Sequence, residues 1–228
     1  RTDVVRVDTP KVDTPRTDVV KVDPTPTPDL STKISELNKM LPLTLYFHND
    51  EPDSNTTKNT TDRPYEYAYR DYIGLQPLYK EQHAEQFAAE TRPLVLKRID
   101  DFFELEVKGE YNRMNYFFEK VLEVLQAGAS LDITIRGYTS PRSNEGYNKA
   151  LARRRVMSVR KQFFAYKNGI FLTYFQQGKL SVSEDPIGEA QAPGGISDAI
   201  DDPQNSIFSV EASRERRAEI IVVQRGAK

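Results

Sequence analysis

An α/β sandwich, helices over a mixed sheet, is the fold class this sequence predicts, on three observations. Apolar residues alternate with polar ones at 43–47 and 131–135, longer segments carry apolar residues at three- and four-residue steps, and a terminal apolar run covers 220–223. With 228 residues, 38% of them apolar, the chain has room for one sizeable core and an appendage.

The appendage comes first. Residues 1–25 are five pentads, RTDVV, RVDTP, KVDTP, RTDVV and KVDPT, each opening on Arg or Lys with Asp at its third place. A period of five matches neither helix nor strand, and Pro10, Pro15, Pro24, Pro26 and Pro28 remove backbone donors, so residues 1–30 are expected to be an extended or disordered linker. At about 3.1 Å per residue, a polyproline-like spacer of that length reaches on the order of 90 Å. The chain opens on Arg1 rather than Met, from which a processed form or a fragment is expected.

The globular part is expected over residues 31–228. Leu43, Leu45 and Phe47 mark a first strand, which ends in the polar turn at 48–53. An insertion at about 50–85 follows. Its stretch 54–80, rich in Asn, Thr, Asp and Tyr, reads as a long excursion with aromatic anchors at Tyr65 to Tyr72 and at Tyr79. From Arg98 to Ala127, Phe103, Val107, Tyr111, Met114, Phe118, Val121, Leu122 and Leu125 form a helical stripe, one helix or two in series with a break at Gly109.

Leu131, Ile133 and Ile135 give a second strand ending at Gly137; a helix capped at Ser143 or Asn144 runs to about Lys167, closed by Gly169. A short helix over 171–177, a third strand at Leu180 and Val182, a loop over 185–209 and a fourth strand over 218–224 complete the reading.

The composition excludes several kinds of chemistry. Without cysteine there is no thiol catalysis, no Cys-ligated zinc and no disulfide; His48 and His83 are the only histidines, and no phosphate loop or nucleophile elbow is present, so no enzyme and no cofactor are expected. A net charge of -2 does not advertise nucleic acid, and no run is long and apolar enough to span a membrane. His48 reads as a solvated turn residue, and Asp50, Glu51 and Asp53 beside it are too few for an oxygen-ligated cation site.

The basic helix stands apart. Between Asn144 and Lys167 it carries Lys149, Arg153, Arg154, Arg155, Arg160, Lys161 and Lys167 against one acid, Glu145. Consecutive helical residues point about 100° apart, so the three adjacent arginines cannot share a role. Asn148 and Arg155 share a face, with Leu151 and Ala152 between them and Ser140 in the loop just before. Amide, guanidinium and hydroxyl together suit a carboxylate-bearing, peptide-like ligand, because an arginine fork can hold a carboxylate through two bonds. A solvated cationic face and a polyanion site remain the alternatives on composition.

Gly137-Tyr138-Thr139, Tyr147-Asn148, Leu151, Arg154-Arg155, Ser158-Val159 and the downstream Arg216-Arg217-Ala218-Glu219-Ile220 resemble the OmpA-like peptidoglycan-binding domain over roughly residues 41–226. The tyrosine-rich insertion and the turn Y-F-H-N-D-E-P-D look like the version found in Bacteroidetes-type outer-membrane proteins. The resemblance implies a βαβαβ-type mixed sheet covered by helices. It also implies non-covalent binding of a diaminopimelate-type stem peptide, with the chain in the periplasm, associated with the outer membrane and with envelope proteins through its upstream region. In that family an Asp after the Gly-aromatic-Thr triplet holds the ligand's ammonium and an Arg its carboxylate. The Arg falls on Arg155 and the family's Asn on Asn148, with Thr139 and Arg217 in the flanking motifs; the acid position is Ser140, which cannot supply the charge. Asp50, Asp53 and Glu145 are the candidate substitutes. The alternative is an envelope docking module that has lost the ligand, in which residues 54–80 would order only against another protein.

Overall fold

The structure is a computed structural model and describes residues 29–188 and 196–225, so all but the end of the expected linker lies outside the described residues. Asp29 caps the first helix, its carboxylate accepting the Thr32 amide at 2.8 Å, and α1 runs Leu30–Lys39. The sequence reading missed this helix, whose single fully buried contact, Leu37, leaves too narrow an apolar stripe to register. β1 (Leu43–Tyr46) follows as expected.

Residues 54–80 are not a bare excursion. They include α2 (Tyr65–Gly74) and α3 (Gln76–Tyr79), with a wide helical turn at Lys80–Ala84, and Tyr65, Tyr72 and Tyr79 are fully buried. The aromatic anchors were legible; the helices between them were obscured by the polar residues that face solvent. α4 (Arg92–Asp101) passes through a π-helical stretch at Phe102–Lys108 into α5 (Gly109–Gln126), so the expected long helix starts earlier. Its irregularity lies before Gly109, whose own backbone is helical.

β2 (Leu131–Tyr138) leads to α6 (Glu145–Ala165), capped by the Asn144 side chain on the Tyr147 amide, and Gly169 ends this helical run in the left-handed conformation. α7 (Ile170–Gln176) returns the chain to β3 (Leu180–Gly188), longer than the sequence suggested. The expected loop at 185–209 therefore holds the end of β3 and the short α8 (Pro203–Ser206), its part at 189–195 lying outside the described residues. α9 (Val210–Glu215) and β4 (Arg217–Arg225) close the fold.

The sheet order is β1-β4-β2-β3, with β4 antiparallel to β1 and β2, and β3 parallel to β2. A parallel pair needs a crossover, and α6 with α7 supplies it. Leu131, Ile133 and Ile135 of β2 and Ala218, Ile220 and Val223 of β4 turn one face into a core with Leu37, Phe117, Phe118, Val121, Val156 and Phe163 from α1, α5 and α6. The fold class is thus a mixed α/β sandwich, as read from the sequence. A second cluster, Tyr46, Tyr72, Tyr79, Ile99, Phe102, Phe103, Val107 and Val210, joins the insertion to the body. β1 pairs only with the first half of β4, and Asn38 takes over the ladder at Val223, donating Nδ2–H to its carbonyl at 2.8 Å and accepting its amide at 3.1 Å. β2 runs one residue past the expected end at Gly137, where the sheet meets α6 so closely that an added Cβ would lie 2.4 Å from the Ala152 carbonyl oxygen, so only glycine fits there.

Candidate ligand-binding cleft

The start of α6 and the turn after β1 enclose a cleft of about 490 Å³, to which Asp50, Ser140, Arg142, Asn148, Arg155 and Ile200 contribute. Four pieces of chain thus converge, and the buried arginines of α6 tie this helix to the turn after β1 and to the end of β2. Arg153 is exposed, whereas Arg154 and Arg155 are wholly buried, the division of roles that the 100° spacing requires.

Arg154 donates to the carbonyls of Pro52 (3.0 Å), Thr56 (3.0 Å) and Lys58 (2.7 Å). Arg155 donates to those of Glu51 (3.0 Å), Tyr138 (2.6 Å) and His48 (3.5 Å). A loop without regular structure must satisfy its carbonyls somewhere, and here two guanidiniums do it, fixing the loop against the helix. Each Arg155 nitrogen reaches one carbonyl, which leaves two of an arginine's five N–H groups for another acceptor. Burial, followed by the neighbouring Arg216 and Arg154, holds the Arg155 pKa down to about 9, while Asp50 acts in the opposite sense; the group is still charged at neutral pH.

Asp50 is the acid of the cleft. Its Oδ1 accepts the Tyr147 hydroxyl at 2.5 Å and its Oδ2 the Asn55 amide at 2.7 Å, and Arg154 Nη2 stands 3.6 Å away. Asp50 has φ of +61°, which a short side chain bonded to nearby backbone tolerates. Of the three candidate substitutes for the missing family acid, Asp50 alone lines the cleft; Asp53 and Glu145 do not. Asn148 donates to the Ser143 carbonyl at 2.9 Å and lines the same wall as Leu151.

Two expected residues lie elsewhere. Thr139 is buried, its hydroxyl unpartnered among the described residues, and is outside the cleft lining, its amide bonded to the Gly188 carbonyl at 3.0 Å. Arg217 stacks on the Tyr138 ring at 4.0 Å, pairs with Glu219 at 2.7 Å and faces a different groove. Its neighbour Arg216, in the bend between α9 and β4, is the one turned inward, its terminal nitrogens bonded to Ser206, Ile207, Ser213 and Tyr79.

His48 also departs from expectation. It is packed among Tyr72, Tyr79 and Phe208, with Nδ1 2.9 Å from the Tyr79 hydroxyl, and burial beside Arg216 and Arg155 lowers its pKa to about 3. Sequence reasoning missed Arg142, which lines the cleft and donates to the Ala199 carbonyl at 3.0 Å, and Ile200, whose loop carries no periodic signal. Compared with protein-family models, curated proteins and solved structures, the chain matches none.

Proposed function

We propose that this domain binds the diaminopimelate-type peptide stem of peptidoglycan without covalent chemistry, anchoring an outer-membrane or envelope protein to the cell wall from the periplasm. The observation that carries the reading is the convergence of Asp50 and Arg155, opposite charges, on one cleft with Asn148 and Ser140. A carboxylate and a guanidinium side by side complement the ammonium and carboxylate on one carbon of an amino acid. Arg142 and Arg155, the two guanidiniums that line the cleft, also favour an anionic group on the ligand. The resemblance of the sequence to OmpA-like domains names that ligand. Burial of Arg154 and Arg155 removes two cations from any continuous polyanion-binding stripe.

The docking alternative draws on Ser140 in place of an acid and on the carbonyls that already engage Arg155. Against it, residues 65–79 are folded onto the chain's own core rather than awaiting a partner.

Calorimetric titration of the chain with a diaminopimelate-containing stem peptide, at low and high salt, tests the proposal. The parent is expected to bind saturably at both, and Asp50→Asn at least about tenfold more weakly, the loss of one charge-assisted contact. No binding by the parent would overturn the reading in favour of docking. Binding that collapses with salt would point to non-specific polyanion attraction instead.

A further inference from the structure

A second groove, of about 380 Å³, lies between α9 and the β1–β4 edge, where Thr44, Tyr46, Arg214, Glu215 and Arg217 meet. Its charges are paired with one exception. Arg214 is bound to Glu106, Arg217 to Glu219 and to the Arg214 carbonyl, and Glu211 to Arg98. Glu215 is 3% exposed, and among the described residues its Oε1 has no hydrogen-bond partner.

The nearest candidate within the chain is Arg216, which spends its terminal nitrogens on Ser206, Ile207, Ser213 and Tyr79 and whose Nε makes no bond to Glu215. A buried carboxylate oxygen left without a donor costs about 1–3 kcal/mol or more, a penalty that a ligand donor in the groove would remove. Among the described residues no group of three His, Cys, Asp or Glu is placed to hold a metal ion, which favours an organic cation. A compact ammonium, with three N–H donors, suits a single buried acceptor, in a groove that Thr44 also lines, better than a planar fork does.

We infer that the groove at Glu215 is a second binding site, distinct from the Asp50–Arg155 cleft, for a ligand bearing a primary ammonium group. The charged and titratable groups around Glu215 are Arg216 from the bend after its helix, Arg217 and Glu219 from β4, Glu211 and Arg214 from its own helix, Asp198 from the preceding loop and Tyr46 from β1. Burial outweighs the two nearest arginines and lifts the Glu215 pKa to about 7. The ammonium needs the ionised carboxylate, so affinity falls as pH drops through that value.

The test follows the amide resonances of Thr44, Arg214 and Arg217 by NMR while the chain is titrated with n-butylamine, with Nα-acetyl-lysine methylamide and with uncharged n-butanol. Both amines are expected to give saturable shifts at pH 8, about tenfold weaker at pH 6, with none from butanol and none in Glu215→Gln. Tighter binding of the lysine compound would identify a peptide-borne amine as the ligand, and equal binding a free amine; either upholds the site. Shifts that persist in Glu215→Gln, that butanol also produces, or that are absent from the parent at pH 8 would overturn it. Should Glu215→Gln not fold, the pH dependence of the parent carries the test, and an affinity that does not change between pH 6 and 8 sinks the inference.

Discussion

Tyr147 donates its hydroxyl to Oδ1 of Asp50 at 2.5 Å, across 97 positions of sequence, and so ties the first turn of α6 to the turn after β1. The phenol approaches the carboxylate while the guanidinium of Arg154 lies over its ring at 5.6 Å. The acid that the loop after β2 lacks at Ser140 is thereby held in the same cleft from the opposite side.

Removing that phenol should loosen the acid without removing its charge. Tyr147→Phe is expected to weaken stem-peptide binding about three- to tenfold and to lower the unfolding free energy by about 0.5–1.5 kcal/mol, the net worth of one hydrogen bond. Calorimetry and urea denaturation read the two quantities separately. Unchanged affinity would mean that the Asn55 amide at Oδ2 suffices to position Asp50.

Arg154 and Arg155 invite the same substitution but answer different questions. Arg154→Ala strips donors from three loop carbonyls at once, so it is expected to cost about 3 kcal/mol or more, measured as a fall in the denaturation midpoint. Arg155→Ala carries a comparable structural penalty, and loss of binding in that variant alone does not identify a ligand contact. Asp50 is the cleaner probe, because its carboxylate is partly exposed and Asn preserves its shape.

How far the sequence disclosed this arrangement depends on the kind of signal. Strands β2 and β4 and a cap at Ser143 or Asn144 follow from periodicity and capping chemistry, which are local, whereas the complete burial of Arg154 and Arg155 does not. α1 escaped because its burial is slight and its anchoring, Asn38 against Val223, spans the whole chain. The same holds for the cleft: Asn148 and Arg155 were visible at helical spacing, whereas Arg142 and Ile200 enter through long-range packing that no window of sequence contains. The inward turn of Arg216 rather than Arg217 depends on where α9 ends and β4 begins, which two adjacent arginines leave open.

Two buried groups give opposing pH dependences. His48 falls from its ordinary 6.5 to about 3, so the unfolded chain binds more protons between those values and the stability it contributes above pH 6.5 is lost as pH falls toward 3. Glu215 rises from 4.5 to about 7, so its contribution is complete below pH 4.5 and is lost as pH climbs through 7. Each slope reaches at most about 1.4 kcal/mol per pH unit, and the two offset one another between 4.5 and 6.5. Glu215→Gln is expected to gain stability relative to the parent as pH rises across that window, read from denaturation curves at three pH values. A difference independent of pH would show that Glu215 ionises normally.

Ser140 offers the sharpest separation of the binding and docking readings. If Asp50 supplies the charge that Ser140 cannot, then Ser140→Asp placed on Asp50→Asn should restore stem-peptide affinity by at least about tenfold, since the acid returns to the same cleft from the loop that opens α6. In the parent background the same substitution should add much less, because two carboxylates beside one ammonium repel each other and one is redundant. The coupling between the two positions, obtained by calorimetry on the four proteins of the cycle, is therefore expected to be large. Near-additive effects would mean that Asp50 is a structural acid that holds Tyr147 and the Asn55 turn. Binding that appears only when Ser140 becomes Asp would mean that the cleft kept its shape and lost its ligand, and the docking reading would then stand.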